Sequence, residues 1–213
     1  MPKIFDDEIR EEIRGRMLDT GFTLIKKFGL KKTTIDDVTR ASGVAKGTFY
    51  NFFKTKEEFV YQIIIYKRRL IRTLFESMIE GNGGEVDRKL LREMLRAIIN
   101  GDYNLIAYLN SDDMAVLVAR WPRDYALNAE NDEKILQWVL ENARHIRAGC
   151  DIRVFINIYK AAATGLADRE ALYPDAIDET AAYFADILSD YVFGREPGVL
   201  PEPALSSMTG AGG

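Results

Sequence analysis

The sequence predicts an all-α protein, and three observations support that prediction. Apolar residues recur at intervals of three and four through most of the chain, which is the spacing of one face of an α-helix. Glycine, proline and capping residues divide these periodic stretches into the lengths of single helices. Runs that alternate in the manner of strands, with β-branched residues, are scarce. Little of the chain is therefore left to form a sheet.

A first helix is predicted from about Asp7 to Phe28, because residues three or four apart give it one apolar side: Ile13, Met17, Gly21, Leu24 and Phe28. Gly29 follows, and glycine ends helices readily because it adopts the left-handed turn that other residues resist. We expect this helix to pack behind the elements that come next.

Two short helices separated by a tight turn follow. Thr34 is placed to cap the first helix through its side chain. Asp37, three residues later, is placed to accept a hydrogen bond from the backbone N–H of Thr34, which completes a capping box. Gly43 ends this helix. The second helix begins near residue 45, and its buried side carries Phe49 and Phe53. This order is that of a helix-turn-helix, in which the N-terminal residues of the second helix meet base edges in the major groove.

The residues of this segment narrow the class further. TTIDDVTRAS followed by GVAKGTFYNFFKTKEE resembles the N-terminal region of the TetR family of transcriptional regulators, and the resemblance extends over about Ile13 to Phe59. Ala45 stands where the family usually has serine, which removes a side-chain cap typically worth about 1 kcal/mol. Phe52 stands where a polar residue is common. The resemblance implies a three-helix DNA-binding domain over residues 1–54, with DNA contacts at Thr34, Lys46, Gly47, Thr48, Tyr50, Asn51, Lys54 and Lys56.

The charge distribution is compatible with DNA binding, although the chain as a whole has a net charge of −4. Between Gly21 and Lys56 there are eight basic and two acidic side chains, which gives a net charge of +6. Because salt screens charges over short distances, a basic region at one end of an acidic protein can still attract phosphates. For Lys26 and Lys27, a solvated surface is the alternative.

A long helix is predicted to lead out of the DNA-binding domain. Thr55 and Glu58 form a second capping box, and apolar residues continue at helical spacing until the glycine-rich stretch 81–84. A rigid helix in this position can transmit a displacement from one domain to the other.

Five more helices are predicted, and they complete a second domain over residues 55–195. Asp151 is expected to cap one of them, and Asp175 with Asp178 to cap the last; the helices cover about 85–101, 112–121, 131–148, 151–169 and 175–193. The remaining residues, 196–213, are rich in glycine and proline and are expected to form a flexible tail.

The resemblance implies that the second domain binds an effector and forms a homodimer. Its aromatic and methionine side chains are of the kind that line pockets for small apolar or amphipathic ligands, and they also fill ordinary cores. The pocket candidates are Phe75, Met78, Met94, Tyr108, Trp121, Trp138, Phe155 and Tyr159.

The last two helices are the expected dimer contact. The candidate interface residues are Ala162, Ile177, Ala181, Phe184, Leu188 and Tyr191. The alternative for this stripe is that it faces the core of its own subunit.

An enzyme is the competing class, and the residues argue against it. The only histidine, His145, and the only cysteine, Cys150, lie on different sides of any helix, and no phosphate-binding glycine loop is present. We therefore expect no catalytic residue, metal or cofactor. No apolar run reaches the roughly 18 residues needed to span a bilayer, and with the single cysteine this predicts a cytoplasmic protein without a membrane partner.

The sequence thus predicts a DNA-binding transcriptional regulator that a small apolar or amphipathic ligand releases from its operator. Most members of the family it resembles are repressors. Two helix-turn-helix units related by a twofold axis read a palindrome in successive major grooves, about 34 Å apart. An activator and a ligand-independent DNA-binding protein are the alternatives, and a helical enzyme ranks below both.

Overall fold

The computed structural model of the protein describes residues 3–99, 103, 105–121, 129–167 and 171–195. Within these residues the chain forms nine α-helices and no strand, which confirms the predicted all-α class. The helices are α1 (Lys3–Phe28), α2 (Ile35–Ser42), α3 (Lys46–Phe52), α4 (Lys56–Gly81), α5 (Arg88–Ile99), α6 (Ser111–Arg120), α7 (Ala129–Glu141), α8 (Ile152–Ala167) and α9 (Ile177–Phe193). The predicted tail, residues 196–213, lies outside the described residues.

The largest departure from the predicted boundaries is at the end of α7, which stops seven residues before the predicted residue 148. The backbone beyond it forms hydrogen bonds with other elements instead of continuing the helix. The N–H of Val86 donates to the oxygen of Asn142 at 2.8 Å, and the N–H of Arg144 donates to the oxygen of Val86 at 3.3 Å. His145, expected on a helix face, is an exposed residue outside any helix, with φ of 59°.

The predicted cap of the last helix is also wrong. Pro174 opens a 3-10 turn that leads directly into α9, and neither Asp175 nor Asp178 caps the helix through its side chain. The preceding helix, α8, does have the expected cap, because the Asp151 carboxylate accepts a hydrogen bond from the N–H of Arg153 at 2.9 Å. A proline-led 3-10 turn supplies the geometry that a side-chain cap provides elsewhere.

An N-terminal core joins α1, α2 and α3 to the beginning of α4. At its centre Phe49, Phe53 and Phe59 pack with ring centroids 4.9 to 5.3 Å apart. Residues of the segment 105–121 complete this core, including the buried Leu105. The N-terminal core therefore reaches beyond residue 54, the predicted end of the first domain.

Polar contacts also fasten α1 to α4. Lys67 is buried, and its Nζ lies 2.6 Å from Oδ1 of Asp19 and 4.5 Å from the centroid of the Phe22 ring. The hydroxyl of Tyr66 donates to Oδ2 of the same carboxylate at 3.0 Å. Because Lys67 is a buried charge held by this carboxylate, sliding α4 along α1 would separate a pair that is costly to break.

A second core, the C-terminal core, lies between the remaining part of α4 and helices α5, α7, α8 and α9. Polar contacts between α5 and α9 cover its edge, where Arg92 lies 2.6 Å from the carboxylate of Asp186 and Arg88 pairs with Asp190. The described residues thus form two apolar cores, and α4 contributes buried residues to both.

Candidate functional site

The helix-turn-helix begins with the predicted cap of α2. The hydroxyl oxygen of Thr34 accepts a hydrogen bond from the N–H of Asp37 at 3.2 Å, and the Asp37 carboxylate accepts from the N–H of Thr34 at 3.0 Å. Hydrogen bonds from Thr34 hold the pKa of Asp37 below its usual range. Gly43 ends the helix with φ of 69°. The capping box and the left-handed turn are confirmed, and they fix the angle between α2 and α3.

Helix α3 has the buried and exposed sides that the sequence predicts. Phe49 is buried, and so is Phe53 at the end of the helix. Ala45 gives no side-chain cap, as expected. Lys46, Gly47, Tyr50 and Asn51 are exposed, while Thr48 is partly buried. Because the buried phenylalanines anchor α3 in the N-terminal core, the opposite side of the helix is held toward solvent.

Charged groups surround this exposed side. Nζ of Lys46 lies 2.8 Å from Oδ1 of Asp36 at the surface, and this hydrogen bond raises the pKa of Lys46. Lys54 is exposed. Nζ of Lys56 instead donates to the oxygen of Leu30 at 2.7 Å, and burial lowers its pKa. One N–H of the Lys56 ammonium is therefore used by a backbone oxygen, whereas Lys54 is exposed to solvent.

The second predicted capping box forms only in part. The hydroxyl oxygen of Thr55 accepts a hydrogen bond from the N–H of Glu58 at 3.0 Å. The Glu58 carboxylate, however, accepts from the N–H of Lys54 at 2.8 Å and not from that of Thr55. The Glu58 carboxylate thus holds the backbone of Lys54, the residue before the cap, and this hydrogen bond fixes the backbone between α3 and α4.

Aromatic rings lie under several cations near the DNA-binding region. The guanidinium of Arg10 lies 4.8 Å from the centroid of the partly buried Phe52. Nζ of Lys26 lies 5.4 Å from the ring of Tyr108. Both cations therefore lie against aromatic rings of the protein itself.

The eight predicted pocket residues do not converge on one cavity. Tyr108 and Trp121 pack with the N-terminal core, and Nε1 of Trp121 donates to the oxygen of Glu57 at 3.0 Å. Five others belong to the C-terminal core or its edge: Phe75, Met78, Met94, Trp138 and Phe155. Tyr159 lines a cavity at the boundary between the two cores.

The cavity also contains a residue that the sequence analysis missed. Arg68 of α4 lines it together with Ile64 and Ile71. The sequence does carry a signal for Arg68. It is a cation four residues after Ile64 and three before Ile71, so it falls on the apolar side of α4.

The predicted dimer residues lie mainly inside their own subunit. Ala162, Ile177, Ala181 and Leu188 are buried, so for these four the alternative of a core-facing stripe applies. Phe184 and Tyr191 are only partly buried.

The exposed apolar residues of these two helices are Val154, Tyr183 and Ile187, with 41%, 48% and 51% of their surface accessible. Ile187 and Ile158 line one surface groove. The solvent-facing side of α8 and α9 is therefore apolar at residues the sequence analysis did not select.

The described residues contain neither a membrane-spanning helix nor a cluster of metal ligands. Among these, no helix has both the length and the apolar character needed to cross a bilayer. The same residues bring together no group of three or more histidine, cysteine, aspartate or glutamate side chains suited to a metal ion.

Comparison with known proteins identifies the N-terminal domain. Residues 17–63 match the family model described as bacterial regulatory proteins, tetR family. The chain carries the TetR-family helix-turn-helix domain. The match covers α2 and α3, the end of α1 and the first turns of α4.

Two sequence relatives of this chain are named as transcriptional repressors. The HTH-type transcriptional repressor KstR2 of Mycobacterium tuberculosis is 23% identical over 128 residues, which cover 59% of this chain and 62% of the relative. KstR2 of Rhodococcus jostii is 31% identical over 93 residues, which cover 44% of this chain and 43% of the relative. The chain thus matches less than two thirds of the length of these curated relatives.

Solved structures extend the likeness to the C-terminal helices. A protein solved to explain control of antibiotic production by bacterial hormones is 19% identical, with a TM-score of 0.63, over 85% of this chain and 97% of that one. Reduced NemR of E. coli is 16% identical, with a TM-score of 0.57, over 88% and 100%. At these identities the likeness shows the fold, and it includes the helices that follow the TetR-family domain.

Proposed function

We propose that the protein is a transcriptional repressor that binds a palindromic operator as a homodimer and is released by a small apolar or amphipathic ligand. The observation that carries the proposal is α3, a short helix anchored by buried phenylalanines, with Lys46, Gly47, Tyr50 and Asn51 on its exposed side. A helix presented in this way can enter a major groove without unfolding its own core.

The proposed DNA contacts divide into two groups. Residues of α3 are proposed to face bases, and residues that flank the helix are proposed to contact phosphates. Phosphate contacts set the position of the protein on DNA but carry little sequence information. Base contacts are proposed for Lys46, Gly47, Thr48, Tyr50 and Asn51. Phosphate contacts are proposed for Thr34, Lys54 and Lys56, and Lys54 is expected to contribute more than Lys56 because the Lys56 ammonium already donates to Leu30.

Selection from a random DNA library tests the class directly, since a repressor of this design should retain one palindromic sequence. Tyr50→Ala and Lys54→Ala should weaken binding to that sequence without changing the circular dichroism spectrum. Loss of one phosphate contact in Lys54→Ala should lower the salt slope of binding by about one unit.

The matched control is Lys89→Ala, which removes an exposed lysine of α5 far along the chain from α3. It should leave affinity and salt slope unchanged. Wild-type affinity in both Tyr50→Ala and Lys54→Ala would show that α3 does not enter the groove.

The dimer is proposed to form through the exposed side of α8 and α9. Val154, Tyr183 and Ile187 would become buried between two copies, next to the partly exposed Phe184 and Tyr191. Burying large apolar side chains is the main favourable term in stable subunit contacts. Two helix-turn-helix units would then be held at the spacing that a palindrome requires.

Two neighbouring residues give a sharp test of this interface. Ile187→Glu should yield a folded monomer with weak operator binding, because Ile187 is half exposed in the protomer. Leu188→Glu should unfold the protein, because Leu188 is completely buried in the C-terminal core. Sedimentation and circular dichroism distinguish these results, and an Ile187→Glu variant that stays dimeric would exclude this surface.

A further inference from the structure

The N-terminal half of α1 reaches the end of α3, the helix that is proposed to enter the major groove. The guanidinium of Arg10 lies over the ring of Phe52, 4.8 Å from its centroid, and Phe52 is the last residue of α3. Arg10 is exposed to solvent, whereas Phe52 is partly buried. A cation of α1 therefore lies beside the C-terminal end of α3, although α1 was expected only to pack behind the helix-turn-helix.

Arg10 continues the side of α1 that packs against the rest of the protein. Ile13, three residues after Arg10, packs against the N-terminal core. Arg14, four residues after Arg10, donates to Oε1 of Gln62 in α4 at 2.7 Å. Because residues three and four apart lie on one side of a helix, these contacts of α1 hold Arg10 at the surface beside Phe52.

Phe52 marks one of the two flanks of α3. At about 100° per residue, Tyr50 and Phe52 lie on opposite sides of the helix. Lys46, one turn before Tyr50, pairs with Asp36 of α2, so α2 borders the Tyr50 flank. Arg10 borders the Phe52 flank. A basic side chain therefore lies along each flank of α3, and the one on the Phe52 flank comes from α1.

We propose that Arg10 is a further DNA contact, which binds a phosphate of the strand that borders α3 on the Phe52 flank. A helix in a major groove has a phosphate backbone along each side, and contacts to these phosphates fix its position. A guanidinium that lies over a ring uses its flat face, while its N–H groups can still donate to phosphate oxygens. This inference deepens the proposed function and rests on it, since it adds a contact with the same operator.

Phe52 is the positioning residue in this arrangement. Its ring carries no hydrogen-bond donor, at a position where a polar residue is common in the family that the sequence resembles. The ring instead attracts the guanidinium of Arg10 and restricts the directions that this long side chain adopts. A side chain that is already ordered loses less conformational freedom on binding. Phe52 is therefore expected to increase the contribution of Arg10 to affinity without adding charge.

The salt dependence of DNA binding tests the contact. Arg10→Gln removes the charge, so the slope of log affinity against log salt should fall by about one unit for each subunit bound. Operator affinity should fall about tenfold, because the lost hydrogen bond is charge-assisted. Discrimination between the operator and its single-base variants should not change, since a phosphate contact carries little sequence information.

Arg16→Gln is the matched control, because Arg16 is an exposed arginine on a different side of α1. It removes the same charge from the same helix, and it should leave the salt slope unchanged. Arg10→Lys keeps the charge and should also keep the slope. Circular dichroism shows whether each variant has the helix content of the wild type.

A double-mutant cycle tests the part played by Phe52. Phe52→Leu removes the ring and keeps an apolar side chain, so it should weaken operator binding about two- to fivefold without changing the salt slope. In the Arg10→Gln background the same change should have no further effect, because no cation remains to be held. An equal effect in both backgrounds would overturn the positioning role of the ring.

Neutral phosphates locate the contact on the DNA. Each phosphate of one operator half-site is replaced in turn by a methylphosphonate, which carries no charge. One replacement should weaken binding of the wild type and leave binding of Arg10→Gln unchanged, because both changes remove the same contact. Three results would overturn the proposal: the absence of such a phosphate, a wild-type salt slope in Arg10→Gln, and an equal loss of slope in Arg16→Gln.

Failure of this inference is distinct from failure of the proposed function. A protein that selects a palindrome but shows a wild-type salt slope in Arg10→Gln keeps its operator and loses this contact. If no sequence is selected, the same variants are measured on duplex DNA of random sequence, where phosphate contacts supply most of the affinity. A lower slope there in Arg10→Gln alone supports the contact, while the palindromic operator is refuted.

Discussion

Replacing Gly21 by alanine should destabilise the protein, because the side chains of α4 lie directly against the Cα atom of Gly21 in α1. A Cβ atom at this position would lie 2.4 Å from Cζ and 2.5 Å from Cε1 of Phe59, and 2.9 Å from Cδ1 of Ile63. Ordinary contact begins at 3.4 Å, so the ring or the helix must move by about 1 Å. Phe59 is buried against the rings of Phe49 and Phe53, so its own ring cannot move away from Gly21 without displacing part of the N-terminal core.

The expected cost follows from this overlap. Overfilling a well-packed core costs about 1–3 kcal/mol. For a chain of this size each kcal/mol corresponds to about 2–4 °C in Tm, so Gly21→Ala should lower Tm by about 2–12 °C. Thermal and urea unfolding followed by circular dichroism at 222 nm measure the change.

Gly81→Ala is the control, because Gly81 is also helical and a Cβ atom there meets nothing within 4 Å. It should leave stability unchanged or raise it by up to about 1 kcal/mol, since alanine is the better helix former. If the Gly21→Ala variant proves as stable as the Gly81→Ala variant, the reasoning that Gly21 sets the spacing of α1 and α4 is refuted.

Three other measurements follow from individual contacts. Thr34→Ala removes the cap bond to Asp37 and should cost about 1 kcal/mol in urea unfolding, and no loss would mean that the cap is dispensable. Burial raises the pKa of Cys150, so its alkylation by iodoacetamide at neutral pH should be slower than that of free cysteine, and a faster reaction would contradict this. The hydrogen bond from Arg153 lowers the pKa of Asp151 to about 2, and NMR should find its midpoint there. The stability from this contact is present above the unfolded pKa and is lost as pH falls toward 2, and Arg153→Ala should return the midpoint toward the usual aspartate range.

The helix-turn-helix was predictable from sequence because local signals determine it. The reciprocal bonds of Thr34 and Asp37 and the left-handed turn at Gly43 depend on residues a few positions apart. The aromatic spacing of α3 likewise identified Phe49 and Phe53 as its anchored side. Caps and turns of this kind require particular residue types at fixed spacings, so they can be recognised in the sequence before the tertiary fold is known.

The cavity and the exposed side of α8 and α9 were not predictable in the same way. Periodicity shows that one side of a helix is apolar, but not whether it meets its own core or another surface. The stripe containing Ala181 and Leu188 turned out to face the C-terminal core, while Ile187, one residue away, is half exposed. Arg68 was missed because its partners in the cavity come from five segments of the chain that only the tertiary fold brings together.

The placement of the two tryptophans gives the protein separate optical reporters. The indole of Trp121 is fixed to the oxygen of Glu57 in the first turn of α4 and packs against Tyr61, with ring centroids 5.5 Å apart. Trp138 lies against the C-terminal core. In a Trp138→Phe variant the remaining emission would come from the end of the molecule that carries α3. Stopped-flow fluorescence of the two single-tryptophan variants, after mixing with DNA or a ligand, would therefore measure the rate of change at each core separately. The two rates would give the order in which the cores respond.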